Sequence, residues 1–233
     1  MTRKDYIQKL LELYAPVSVL SEKNDCQVLR LRNRSTEKDL ILRSYPTSVE
    51  AYGALLQIRC DNLPEIYDAF DVDDGQIVLE EFIDGMTVAQ VMESGKYRPY
   101  GARRVLAGVC TALHVLHEKN IVHRDVKPEN VMIDVSGRVL LIDLNASRKT
   151  SAAQKDTVIM GTVGYASPEQ LGLRQTDART DIYAAGVLYN VMLTGQHPSV
   201  TIASGKAGRT VRKCTAVNPD DRYQTAAELR AAL

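Results

Sequence analysis

The spacing of apolar positions changes partway along the chain. From residue 16 to about residue 82 the apolar residues fall in short β-rich runs, PVSVL, CQVLRLRN and DLILRSY, separated by polar stretches, and DAFDVDDGQIVLEEF carries an Asp-Asp-Gly turn between two more. Short runs bounded by turn residues predict strands, and the Asp-Asp-Gly predicts a hairpin. One helix, about residues 49–58, interrupts them. From residue 87 onward the period lengthens. In ARRVLAGVCTALHVLHEKN, Val105, Leu106, Val109, Cys110, Leu113 and Leu116 share one helical face, and Asn120 can end that helix. DIYAAGVLYNVMLTG is apolar nearly all round, which suits a helix buried in the middle of a lobe. SPEQ, with Ser167 before Pro168 and Gln170 three on, and TAAE, with Thr225 three before Glu228, read as helix starts. The change near Asp84-Gly85 predicts an α+β chain of two lobes. A small β-rich N-lobe with an N-terminal helix takes about residues 1–84, and a larger, mainly helical C-lobe takes about 85–233.

Composition narrows the picture without changing it. At 233 residues, 45% hydrophobic and 25% charged, the chain can bury a full core, as one large domain or two packed lobes. Lys plus Arg and Asp plus Glu both number 29, so the net charge is zero and nothing marks a nucleic-acid or anionic-membrane binder. MTRKDYIQKLLELYAP has apolar residues at helical spacing broken by charges, unlike a signal peptide or a membrane span, so the chain is expected in the cytoplasm. Cys26, Cys60, Cys110 and Cys214 are scattered, which disfavours a disulfide framework or a zinc site and predicts buried free thiols.

The candidate chemistry lies in IVHRDVKPENVMI, between the long helix and the strand pair VMIDVSGRVLLID. A hairpin across DVSG returns the chain to Asp143 beside Asn130. Those residues supply hard oxygen ligands of the kind Mg²⁺ takes while keeping its other positions for water and phosphate, so a phosphoryl donor is implied. Asp125 can accept a hydroxyl proton and orient that oxygen for in-line attack, while Lys127 offsets charge on the transferred group. Asp73-Asp74 reads as a solvated turn rather than a metal site.

This stretch resembles the catalytic loop of eukaryotic-type serine/threonine protein kinases, and the resemblance extends along the chain. IDLNAS stands where the family has its metal-binding Asp-Phe-Gly. GTVGYASPEQ resembles the substrate-side loop of bacterial members, NPDDRYQ the late Arg motif and VLEEFIDGMTV the hinge strand. The resemblance implies the two-lobed kinase fold with ATP in the cleft, Mg²⁺ on Asn130 and Asp143, and a protein substrate, which autophosphorylation would make the chain itself. Val28 would cover the adenine, and Glu81 would lie on the hinge strand beside the nucleotide. Lys127 and Thr162 follow the serine/threonine pattern. Glu169 and Arg222 would form a buried ion pair, His123 would pack, and Asp181 would hold the catalytic loop backbone.

Departures are concentrated in the small lobe. Ser21, Lys23 and Cys26 stand at the positions of the family's phosphate-loop glycines. Arg43 replaces the lysine of the third strand, with Glu50, the only acidic residue between Arg43 and Asp61, as its expected partner. Asn145 replaces the glycine of the metal motif and tolerates left-handed angles. VTIASGKAGRT is shorter than the helical segment usual there.

These departures leave a second class open, a pseudokinase acting as a nucleotide-binding or scaffolding module. A third class, small-molecule phosphotransferases, shares an Asp-to-Asn loop spacing, but Lys127 and Ser167-Pro168-Glu169 argue against it. NASRKTSAAQKDTVIMGT is polar and carries Thr150, Ser151 and Thr157, with Arg124 and Arg148 able to face it. A phosphate on Thr157 would accept bonds from both guanidinium groups, whereas arginines already paired with carboxylates such as Asp156 would need none.

Overall fold

A computed structural model of the chain describes residues 1–149, 162, 164–171 and 175–233. They fall into two compact units, Met1–Arg59 with Pro64–Ile83, and Cys60–Leu63 with Asp84–Leu233.

The first unit begins with helix α1 (Arg3–Leu13) and holds strands β1 (Tyr14–Lys23), β2 (Cys26–Asn33) and β3 (Asp39–Tyr45), helix α2 (Glu50–Leu55), and strands β4 (Ile66–Val72) and β5 (Gly75–Glu81). The strands form one antiparallel sheet in the order β1-β2-β3-β5-β4. Alternation along each strand gives the sheet two unlike faces. Register sets Leu29 opposite Leu42, Leu31 opposite Leu40, and Leu42 opposite Leu79. Together with Ile77 these form a buried core on one face, covered by Leu10, Tyr6, Ile7 and Leu11 of α1. Thr2 and Asp5 start α1 as a reciprocal capping box. The other face carries Val28, Arg30, Ile41, Arg43, Val78 and Glu80, because Val28 lies opposite Arg43, Arg43 opposite Val78 and Ile41 opposite Glu80.

Two turns in this unit have specific causes. Lys23 pairs with Cys26 across Asn24 and Asp25, whose φ values are 51° and 60°. That is the two-residue hairpin turn whose twist matches the strands, and Asn and Asp tolerate it. At the β4–β5 turn Gly75 has φ 148°, and a Cβ there would lie 1.9 Å from the Tyr45 carbonyl oxygen, so only glycine fits. The turn carboxylates serve α1: Asp73 takes the Met1 amino group, and Asp74 Oδ1 accepts the Arg3 N–H at 2.6 Å.

The second unit contains β6 (Gly85–Thr87), α3 (Val88–Glu93), α4 (Pro99–Glu118), β7 (Ile121–Val122), β8 (Val131–Asp134), β9 (Val139–Leu141), β10 (Arg148–Lys149), α5 (Ala178–Thr194), α6 (Gly205–Cys214) and α7 (Ala226–Ala231). The expected face of α4 is buried throughout, and Asn120 follows the helix with φ 58°. Helix α5 is buried along most of its length, capped by Asp177 and stopped by left-handed Gly195. Thr225 caps α7 by accepting from the Glu228 N–H at 3.1 Å.

Two expectations are corrected. Residues 60–63 belong with the second unit because Asn62 Nδ2 donates to the Val139 carbonyl at 2.6 Å and the Leu141 N–H donates to the Asn62 carbonyl at 2.9 Å. All four cysteines are free, but Cys26 and Cys60 are only partly buried. Cys110 is enclosed, and burial pushes its thiol up to about 12. Among the described residues no helix is long and apolar enough to cross a membrane.

Candidate active site

The loop that follows β7 is set by a buried carboxylate. Asp181, in the first turn of α5, is wholly buried and accepts the His123 N–H and the Arg124 N–H, each at 2.8 Å, and contacts His117 Nε2 at 2.8 Å. Arg124 has φ 68°, a costly conformation for a residue with a long side chain. The surroundings enforce it from both sides of the peptide, since Gln170 Nε2 donates to the Arg124 carbonyl at 2.8 Å. Gln170 also accepts the Ser167 N–H at 3.0 Å, so the predicted helix start at SPEQ becomes a short 3-10 turn, Pro168–Leu171, tied to the loop that carries Asp125. His123 is fully buried, with Nε2 3.2 Å from the Ile142 carbonyl.

Asp125 therefore leaves the loop at a fixed angle. Lys127 Nζ lies 2.7 Å from its Oδ2, and Thr162 Oγ1 donates to its Oδ1 at 2.6 Å. Lys127 also donates to the Thr162 hydroxyl at 2.7 Å, closing a three-membered cluster. Asn130 Nδ2 donates to Oδ2 of Asp125 at 2.8 Å and to its carbonyl at 2.9 Å. Burial by itself would raise the Asp125 carboxyl, but the hydrogen bonds from Lys127 and Thr162, with the Lys127 charge, hold it below the ordinary carboxylate value. The group is ionised at neutral pH.

The hairpin brings the next carboxylate to this cluster. β8 and β9 pair Val131 with Leu141, and the Ile142 N–H donates to the Asn130 carbonyl at 2.9 Å, so Asp143 stands one residue beyond that closure. Asp143 itself has φ 65° and accepts the Asn145 N–H at 3.2 Å. The left-handed residue of IDLNAS is thus Asp143, not Asn145 as its place at a glycine position suggested. A short polar side chain that bonds the backbone two residues on relieves the strain locally.

Glu169 and Arg222 form the predicted buried pair, with bonds of 2.6 and 2.9 Å from the two ends of the guanidinium. Arg222 also donates to the carbonyls of Ala216, Arg179 and Val217, and Glu169 accepts from Thr180. Burial pushes the Glu169 carboxyl up, but Arg222 overcomes it and the net direction is down.

In the first unit, Val28 and Arg43 lie directly opposite each other on one face. Glu81 is tied to Glu65, whose N–H donates to its Oε2 at 3.1 Å and whose carbonyl accepts its N–H at 2.9 Å. The pair expected between Arg43 and Glu50 is not formed: Arg43 Nε donates to Glu80 Oε1 at 2.6 Å, while Glu50 opens α2 exposed to solvent. Sheet register explains this, because Glu80 sits diagonally across from Arg43 on the same face. The sequence shows only that an acidic residue in the apolar strand IVLEE needs a partner; register selects Arg43.

Arg148 lies in β10 opposite Val122, two residues before Arg124. Thr150, Ser151 and Thr157 lie outside the described residues, as does Asp156.

Residues 26–230 match the protein kinase domain, and the chain belongs to that family. It is similar to the Serine/threonine-protein kinase PknB of Mycobacterium tuberculosis, 31% identical over 207 residues that take in 74% of this chain and 33% of that protein. The protein of the same name from Mycobacterium leprae is 33% identical over 207 residues, again 74% of this chain and 33% of the relative. A Probable serine/threonine-protein kinase PknB from Corynebacterium glutamicum is 35% identical over 204 residues, 72% of this chain and 32% of the relative. The chain spans about a third of the length of the curated relatives it matches. ATP and Mg²⁺ are the general requirements of this family.

Proposed function

We propose that this chain transfers the γ-phosphoryl group of ATP to a serine or threonine hydroxyl of a protein, its own residues included, with Mg²⁺, in the cytoplasm. The observation that carries the reading is Asp125, held ionised by Lys127 and Thr162 and pinned by Asn130. The Thr162 contact already has a hydroxyl donating to Asp125 Oδ1 at 2.6 Å. A substrate hydroxyl taking that place loses its proton to Asp125 as its oxygen bonds to the γ-phosphorus, the bond from that phosphorus to the β–γ bridging oxygen breaks and ADP leaves, and Lys127 offsets charge on the group in transit.

Asn130 and Asp143 fit a magnesium ion by the chemistry of their atoms. Asn130 spends its amide nitrogen on Asp125, so its Oδ1 is the atom left to serve as a ligand, and Asp143 adds a carboxylate. When bound, the ion would neutralise phosphate charge. Val28 and Glu81 are assigned to the nucleotide, and Arg43 to its phosphates. The β1–β2 turn offers the phosphates little, because strand pairing runs to its last residues, Lys23 and Cys26. Thr157, in the segment that also carries Thr150 and Ser151, is the proposed regulatory phosphosite.

Intact-mass spectrometry of the purified chain after incubation with Mg-ATP tests the reading. Added phosphate, mapped to serine or threonine, supports it. An unmodified chain that also leaves generic protein substrates untouched, while still binding ATP, would place it with the binding-module class. Asp143→Asn is expected to lose the thermal stabilisation that ATP gives in magnesium, and undiminished stabilisation would show that the ion is held elsewhere.

A further inference from the structure

The Arg43–Glu80 pair is built into the sheet. The side chains are 10% and 4% exposed, the bond is 2.6 Å, and the partners lie on neighbouring strands β3 and β5. A buried guanidinium hydrogen-bonded to so close a carboxylate is constrained by it, and strand register brings the two together. Helix α2 is attached to the sheet by other means. The Val49 N–H donates to Gln76 Oε1 at 3.0 Å, and the Tyr45 and Tyr52 hydroxyls share a hydrogen bond of 2.8 Å with their rings stacked. Glu50, at the start of α2, is exposed and among the described residues forms no ion pair.

We infer that Glu80 is the positioning residue for Arg43, and that the cation assigned to the nucleotide phosphates is set by the β3–β5 pair independently of α2. Arginine suits this arrangement for a chemical reason. Its Nε can be held from behind while the two terminal nitrogens, at the far end of the fork, are directed onward; a lysine has one nitrogen for both tasks. The substitution at this position and the acidic residue on β5 are then one feature, a cation anchored through its middle. The inference rests on the assignment of Arg43 to the phosphates made above.

Calorimetric titration of the parent, Glu80→Gln, Glu80→Asp and Glu50→Gln with Mg-ATP and with adenosine tests it. Glu80→Gln is expected to weaken ATP on the order of tenfold, the worth of a hydrogen bond to a charged group. Adenosine, which lacks phosphates, should bind unchanged, a split that general loosening of the fold would not give. Glu80→Asp keeps the buried charges balanced, draws the guanidinium back, and should weaken ATP to a lesser degree. Glu50→Gln should match the parent for both ligands. ATP binding as tight in both Glu80 variants as in the parent would overturn the inference. So would a loss in Glu50→Gln equal to that in Glu80→Gln, or an equal loss of adenosine. A parent that binds adenosine but gains nothing from the phosphates would overturn the assignment of Arg43, and with it this role for Glu80, while leaving Asp125 to its own test.

Discussion

Asp125→Asn will fold as the parent does and transfer phosphate on the order of 10² to 10⁴ times more slowly, the usual contribution of a positioned general base. Folding survives because asparagine has the same shape and its carbonyl oxygen can still accept the Thr162 hydroxyl that now donates at 2.6 Å. The loop is also held independently of the Asp125 side chain, through Asp181 and Gln170 on the peptide groups of His123 and Arg124. Three things are lost. The amide no longer takes up a proton, Lys127, 2.7 Å from the carboxylate in the parent, loses its counter-charge, and the amide nitrogen in the place of Oδ2 cannot accept from Asn130 Nδ2. Single-turnover phosphorylation of a generic protein substrate, with far-ultraviolet circular dichroism as the check on folding, measures the effect. A variant as fast as the parent would remove Asp125 from the mechanism.

How much of this was legible beforehand follows from the range of the interactions involved. β2, β3 and the β4–β5 hairpin, with α4 and α5, are readable because their apolar spacing matches the face they bury. α6 is not. GKAGRTVRKC contains two glycines and mostly polar residues, and only a few side chains such as Val211 and Cys214 are buried. Its helix is set by tertiary packing against α5: a Cβ on Gly186 would lie 2.2 Å from the Cys214 Cβ, so the two helices meet where a larger residue would part them. The site shows the same division. Asp125, Lys127 and Asn130 lie within six residues of sequence, and the hairpin that delivers Asp143 is short, so local pattern suffices. Asp181, Glu169 and Arg222 were assigned through the family resemblance, and the structure gives them the partners it implied. The Arg43–Glu80 pair joins residues 37 apart through strand register, which no local pattern contains, and proximity along the chain pointed to Glu50 instead. At IDLNAS the backbone strain falls on Asp143, two residues from the glycine position that suggested it.

The largest effect on stability is expected at Arg222. Arg222→Ala will destabilise the fold by about 3 to 5 kcal/mol in urea unfolding, the range for removing one partner of a buried pair. Arg222 is 0% and Glu169 3% exposed, so water cannot replace the lost partner. Three carbonyls, those of Ala216, Arg179 and Val217, lose a donor at the same time. Removing both charges with Glu169→Leu and Arg222→Met should recover part of the loss, since no lone charge then stays buried; full recovery is prevented by those carbonyls and by Thr180, which donates to Glu169. The pair also fixes a pH dependence. The folded-state pKa of Glu169 lies below its ordinary value of 4.5, so the carboxylate contributes stability that is fully present above that value. This contribution is lost as pH falls from there through the folded-state pKa. Glu169→Gln, less stable than the parent at neutral pH, should therefore converge on it as the solution is acidified below 4.5. Parallel stability curves for the two proteins across that interval would show that Arg222 does not hold Glu169 ionised.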